Sequence, residues 1–191
     1  MIAGHFGFAA MVKSRETAVP LWALMLATVW LDVVFVPLFL AGVETIDSSP
    51  GGGYGGNIIH ADYTHSLLGA LLLSALWGAA FYWRLGLRSA CVLGFVAFSH
   101  WLLDLPVHRA DMPLLPRNVG NFPMFGFGLW QYRGVVAVLE LALVVLGTWL
   151  YWRAARSVTE PAQPLRRRAL VTSVLMLLGG IGVLLADLTG A

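Results

Sequence analysis

The chain has 191 residues, 59% of them hydrophobic and only 12% charged, with a mean hydropathy of +0.77. Soluble domains carry roughly 25% charged residues, so too little polar surface exists here to cover a water-soluble globule, and an integral membrane protein is expected. The formal charge is only +2, and the arginines sit in short loops instead of a stripe, so nucleic acid is excluded as the expected partner.

Residues 1–12 are apolar but, at about 1.5 Å per residue, reach only about half-way across a bilayer. Their apolar part precedes the charges of "KSRE", the reverse of a signal peptide's order. Five segments then have the length and apolarity of spans, at about 18–41, 63–83, 89–106, 130–152 and 168–188. The expected fold is an all-α integral membrane protein: about five transmembrane helices plus a short N-terminal half-helix, in one compact bundle. No repeat or second domain interrupts residues 1–191, and "SSPGGGYGG" reads as a flexible loop. Cys91 is the single cysteine and lies in an apolar run, which leaves no intrachain disulfide.

Three basic turns set the orientation. Lys13 and Arg15 precede the first span, Arg84 and Arg88 flank a short turn, and Arg153, Arg156 and Arg166 to Arg168 crowd another. The positive-inside rule places all three on the cytoplasmic face of the inner (plasma) membrane. The partners expected are the lipid bilayer and a small-molecule or lipid substrate.

Ionisable residues within spans are functional candidates by default. Asp32 lies in the first span and Glu140 in the fourth. His100 and Asp104 share a helical face near the outer end of the third. His60 and His65, in "HADYTHS", sit at the outer end of the second, and His5 lies in the half-helix. His108 follows Asp104 by one turn, but Pro106 disturbs the helix between them. Counted from the span ends, all five histidines and both deep acids fall in the outer half of the bilayer. Each has a plainer reading: His100 with Asp104 as a structural pair, Glu140 as a helix–helix hydrogen bond, His60 as a headgroup-level loop residue, Asp62 as a helix N-cap, His108 and Asp111 as loop residues. Their common depth favours a metal site. Histidine with carboxylate and no thiolate suits zinc, with iron or manganese as alternatives.

In order, Gly4-His5, Asp32, the "HADYTHS" run from His60 to Ser66, Ser99-His100 with Asp104, and Glu140 resemble the motifs of the YdjM-like family of predicted membrane-bound metal-dependent hydrolases. That family is similar in ligand order to the all-α zinc-dependent phospholipase C and single-strand nuclease superfamily. The resemblance implies one metal held by Asp32, His65 or His60, His100 and Asp104. His5 would join Asp104 on a second, and Glu140 and His108 would belong to a third or lie behind the ligands. The chain departs from the family's pattern at "LDVVF", where only Asp32 is left of a fuller acidic motif, and at Val136, where the superfamily has a histidine. One or two ions are therefore expected. His5, Asp32, His65, His100, Asp104 and Glu140 are the candidate ligands, and His60 is the candidate general base.

The expected activity is a metal-dependent hydrolase that acts on a phosphoester or lipid-like substrate through a metal-activated water, its site facing the extracytoplasmic side. The alternatives are an intramembrane metal-binding transporter and a structural membrane protein.

Overall fold

The computed structural model describes residues 1–47, 53–158 and 163–189. Within them the protein is mostly helical. The helices are α1 (Ile2–Lys13), α2 (Leu21–Thr28), α3 (Trp30–Leu40), the single turn α4 (Gly53–Gly56), α5 (Leu67–Asp104), α6 (Arg133–Val158) and α7 (Gln163–Thr189). Most of the Gly-rich loop and the middle of the last basic loop, 48–52 and 159–162, lie outside the described residues.

Three helices are long and apolar enough to cross a membrane: Leu67–Asp104, Arg133–Ser157 and Arg166–Thr189. A fourth is added if α2 and α3 are one span. That expected first span is broken, bending by 52° at Val29, whose φ of −118° and ψ of 16° leave the helical range. The break has an identifiable cause, a side chain inserted into the backbone ladder. The Thr28 carbonyl, which a continuous helix would spend on its own backbone, accepts a hydrogen bond from His100 Nδ1 at 2.7 Å.

The second and third expected segments both lie in α5, and Gly86 divides them. Its φ of 78° is a conformation that favours glycine. A straight helix would hold Gly78 and Ala90 about 18 Å apart, yet a Cβ on Gly78 would stand 2.6 Å from the Ala90 carbonyl oxygen. α5 is therefore a helical hairpin, its arms closed through Gly78 and Gly94. Ser66 caps its start, accepting the Gly69 N–H at 3.0 Å. The N-cap expected at Asp62 is thereby corrected. Asp62 instead lies in the turn before the helix, where its carbonyl accepts the Arg117 N–H at 3.1 Å. The Leu67 and Leu68 N–H groups, orphans of the first turn, donate to the Pro113 and Leu114 carbonyls of the following loop.

The structure also contains a sheet that a purely helical reading omits. β1 (Thr45–Asp47) and β2 (Ile58–His60) pair antiparallel, with Thr45 opposite His60. Isoleucine and threonine favour a half-buried pleated surface over a helix.

Small residues position α1. Ala3, Gly4, Gly7, Ala9 and Ala10 are buried, and a Cβ on Gly7 would lie 2.4 Å from the Leu143 carbonyl of α6. A Cβ on Gly147 would in turn meet the Gly7 carbonyl oxygen. At the basic end, Arg88 Nη2 pairs with Glu16 Oε2 at 3.0 Å. The turn after α1 and the turn at Gly86 therefore share one end of the bundle. The outer faces of α6 and α7 are apolar and exposed, as at Val138, Leu175 and Leu178.

Gly7→Leu is expected to prise α1 from α6 at a cost of about 1–3 kcal/mol. Its thermal unfolding midpoint in detergent should fall, whereas Gly179→Leu, which points into open space, should leave it unchanged. Equal midpoints for the two variants would contradict the close packing.

Candidate metal centre

The bend at Val29 does two things at once. It frees the Thr28 carbonyl for His100, and it places Asp32 in the first turn of α3, where the helix dipole favours a carboxylate. A carbonyl only accepts, so His100 Nδ1 carries the proton and a neutral His100 presents a bare lone pair at Nε2.

His65 is fixed in the same sense by a longer chain of contacts. Glu44 is buried, and its Oε1 accepts the Tyr63 and Thr64 N–H groups, both at 2.8 Å. The Thr64 hydroxyl lies 3.1 and 3.0 Å from the two Glu44 oxygens and 2.9 Å from His65 Nδ1. An ionised carboxylate cannot donate, so the single hydroxyl proton goes to Glu44 and the hydroxyl accepts from His65 Nδ1–H. The bare lone pair of His65 is then also at Nε2. Trp101 Nε1 donates to the His65 carbonyl at 2.9 Å and anchors that backbone.

The two lone pairs face each other. His65 Nε2 and His100 Nε2 are 3.1 Å apart, and each lies 3.5 Å from Asp32 Oδ1. Ligands held at about 2.0–2.1 Å around a tetrahedral ion stand about 3.3 Å from one another. Asp32, His65 and His100 thus trace one face of such a tetrahedron. With both rings neutral and both protons at Nδ1, neither Nε2 can donate to the other, and a cation between them relieves the opposition.

A second metal-capable group is His5, His100 and Asp104. His5 Nε2 lies 3.5 Å from Asp104 Oδ1, and His100 Nε2 lies 3.2 Å from Asp104 Oδ2. Among the described residues, neither ring nitrogen of the fully buried His5 makes a hydrogen bond, and neither does Asp104 Oδ1. Each unsatisfied buried group costs about 1–3 kcal/mol, so a bound cation fits here as well. His100 appears in both groups but has only one nitrogen to give, so a second ion would rest on His5 and Asp104 with another donor.

His108, one turn beyond Asp104, is buried beside this set despite lying past the helix end. Its Nε2 is 3.6 Å from Asp104 Oδ2 and its Nδ1 is 3.0 Å from Asp111 Oδ1. Burial pushes its pKa down, but the two carboxylates outweigh that and raise it to about 9. Glu140 is fully buried and accepts the Gly4 N–H at 3.0 Å. It neutralises one orphan donor of the first turn of α1 and belongs to neither metal-capable group. His60 is not brought to the centre. Strand alternation turns its side chain away from that of Ile59; Ile59 faces the cavity, while His60, 47% exposed, pairs with Asp47 at 3.1 Å.

A cavity of about 420 Å³ opens onto the centre. Asp32, His65, Asp104 and His108 line it together with the apolar Phe35, Val36, Ile59 and Ile2. Three acids border it, counting Asp187, and no lysine or arginine does.

Sequence reasoning passed over Glu44 and Thr64 as supports. Glu44 reads as a loop acid, and no spacing rule links it to residues 63–65. No family model, curated protein or solved structure matches the chain, so the likeness to the YdjM-like family stands on the quoted motifs alone.

Glu44→Gln is expected to weaken metal binding by about 10–100-fold, the usual effect of losing a group that orients a ligand. Competition with a chelating dye would measure it. Asp47→Asn, at a carboxylate that pairs with the exposed His60, serves as the control, and equal affinities in the two variants would refute the positioning role.

Proposed function

We propose that the chain is a membrane-embedded, metal-dependent hydrolase acting on a phosphoester or lipid-like substrate, with zinc as the preferred ion. In this reading both α5 arms, the bent α2–α3 pair, α6 and α7 make five crossings, α1 is buried among them, and the site faces outward from the plasma membrane. The observation that carries it is the triangle of Asp32 Oδ1, His65 Nε2 and His100 Nε2, at tetrahedral spacing, beside a cavity lined by both polar and apolar side chains.

A divalent ion supplies Lewis acidity there and lowers the pKa of water towards about 7. The residues do the rest. Asp32, His65 and His100 hold the first position, and His5 with Asp104 the second. Phe35, Val36 and Ile2 accept an acyl or alkyl portion and exclude bulk water from the polar side chains. Hydrolysis breaks the ester bond as water enters, and a proton must reach the departing oxygen. Of the cavity-lining titratable side chains outside both ligand sets, His108 stands nearest the carboxylate of Asp104 and is assigned to carry that proton at Nε2. His60 has no part in this scheme.

Purified protein is expected to hold at least one transition metal per chain, and His100→Ala or Asp32→Asn to lose most of it. His108→Gln should keep the metal and lose about 10²–10⁴-fold in hydrolysis of phospholipids or generic phosphoesters. His60→Gln should stay within about twofold, an effect far below the 10²-fold loss expected of a missing acid or base. A folded, metal-free protein would end the reading. Metal flux into proteoliposomes without hydrolysis of any ester would give the transporter reading precedence.

A further inference from the structure

A second cavity, of about 520 Å³, lies against the first. Gly55 and Trp130 line both and form their common wall. The two differ sharply in charge. The first is bordered by Asp32, Asp104 and Asp187. The second is lined by Arg109 and Arg133, together with Gln131, and no acid lines it among the described residues.

Arg109 is set by its backbone. The Gly128 N–H donates to the His108 carbonyl at 2.6 Å. Gly126, at φ 135°, passes so close that a Cβ there would overlap the Arg109 carbonyl oxygen. Arg109 Nη2 donates to the Gly56 carbonyl at 2.9 Å, which holds the side chain at the cavity that it lines. Arg133 comes from the start of α6. Two guanidinium groups bordering one cavity suit an anion, to which each can give charge-assisted hydrogen bonds.

We infer that this cavity is an anion-binding subsite, built by Arg109 and Arg133, that takes a phosphate group next to the metal centre. A lipid headgroup and free phosphate carry the same chemistry. As a statement about substrate it rests on the hydrolase reading and makes the substrate doubly polar, with one group at the ion and a phosphate at the arginines. As a binding site it stands independently of any metal.

The test uses full-length protein in detergent, stripped of metal by a chelator, titrated calorimetrically with inorganic phosphate and separately with dihexanoyl phosphatidic acid. One saturable site per chain is expected. Arg109→Gln and Arg133→Gln should each weaken it at least tenfold. Arg84→Gln, at the opposite end of the bundle, and Asp32→Asn, at the metal centre, should not. Arg133→Lys should keep part of the affinity, which guards against loss of fold in the glutamine variants. Tighter binding of phosphatidic acid would identify a lipid headgroup as the source, and equal binding free phosphate. Absence of a saturable site overturns the inference, as do wild-type affinities in both arginine variants. Binding that requires Asp32 and not the arginines would overturn it too, by moving the anion to the metal centre. Phosphate binding by a protein that holds no metal as purified, before any chelator is added, would end the hydrolase reading and leave this one standing.

Discussion

The hydrogen bond from His100 Nδ1 to the Thr28 carbonyl is where the fold and the centre meet. A carbonyl inside an apolar helix has one ordinary partner, the N–H four residues on, and giving it to a side chain breaks the helix. The chain accepts the break because three things follow from it. His100 is held in one tautomer. Asp32 moves from mid-span to the first turn of a new helix. The 52° bend opens room above His65 for a cavity. Removing the bond would disturb all three together.

Buried charge sets the second constraint. Asp104, Glu44 and Glu140 are buried carboxylates and Asp32 a partly exposed one, in a chain with few charges, and an unpaired carboxylate in an apolar interior is strongly disfavoured. Each is met by a different device. Glu44 collects two backbone N–H groups and a hydroxyl. Glu140 takes an orphan N–H from the start of α1. Asp32 is met by histidines, and Asp104 by histidines and the buried Met1 ammonium, 3.9 Å from its Oδ1. Glu44 and Glu140 are thus held by backbone N–H groups, whereas Asp32 and Asp104 belong to the two groups that could hold a metal ion.

What was legible in the sequence follows the range of each contact. The four-residue spacing of His100 and Asp104 puts both on one helical face, and the depth of His5, Asp32 and His65 points to the same layer, so these five could be read without coordinates. Glu44 could not, because its partners lie across a strand and a loop. His60 looked equivalent to His65 in the linear string, yet a strand's period of two sends it outward where a helical reading would have left it free to turn in. His108 was masked by Pro106, which argues against a continued helix; the loop keeps the side chain in place by other bonds. The bend in the first span left no mark on hydropathy, since its cause lies seventy residues away in α5. The turn at Gly86 was legible from its flanking arginines, and the Thr45–His60 pairing was hidden by its brevity.

The close fit of α1 against α6 bears on the order in which the centre is assembled during synthesis. His5 and Asp32 leave the ribosome first and His100 with Asp104 follow, but Gly4 and Gly7 find their complement only in Glu140, Leu143 and Gly147. One side of α1 needs no late helix: Ala9 packs with Val19, Ala23 and Leu24, and the His5 ring stands against that of His100. The side that carries Gly4 and Gly7 is matched by α6. The group of Asp32, His65 and His100 thus draws on α2, α3 and α5, whereas the seat of His5 beside Asp104 also rests on a helix from late in the chain.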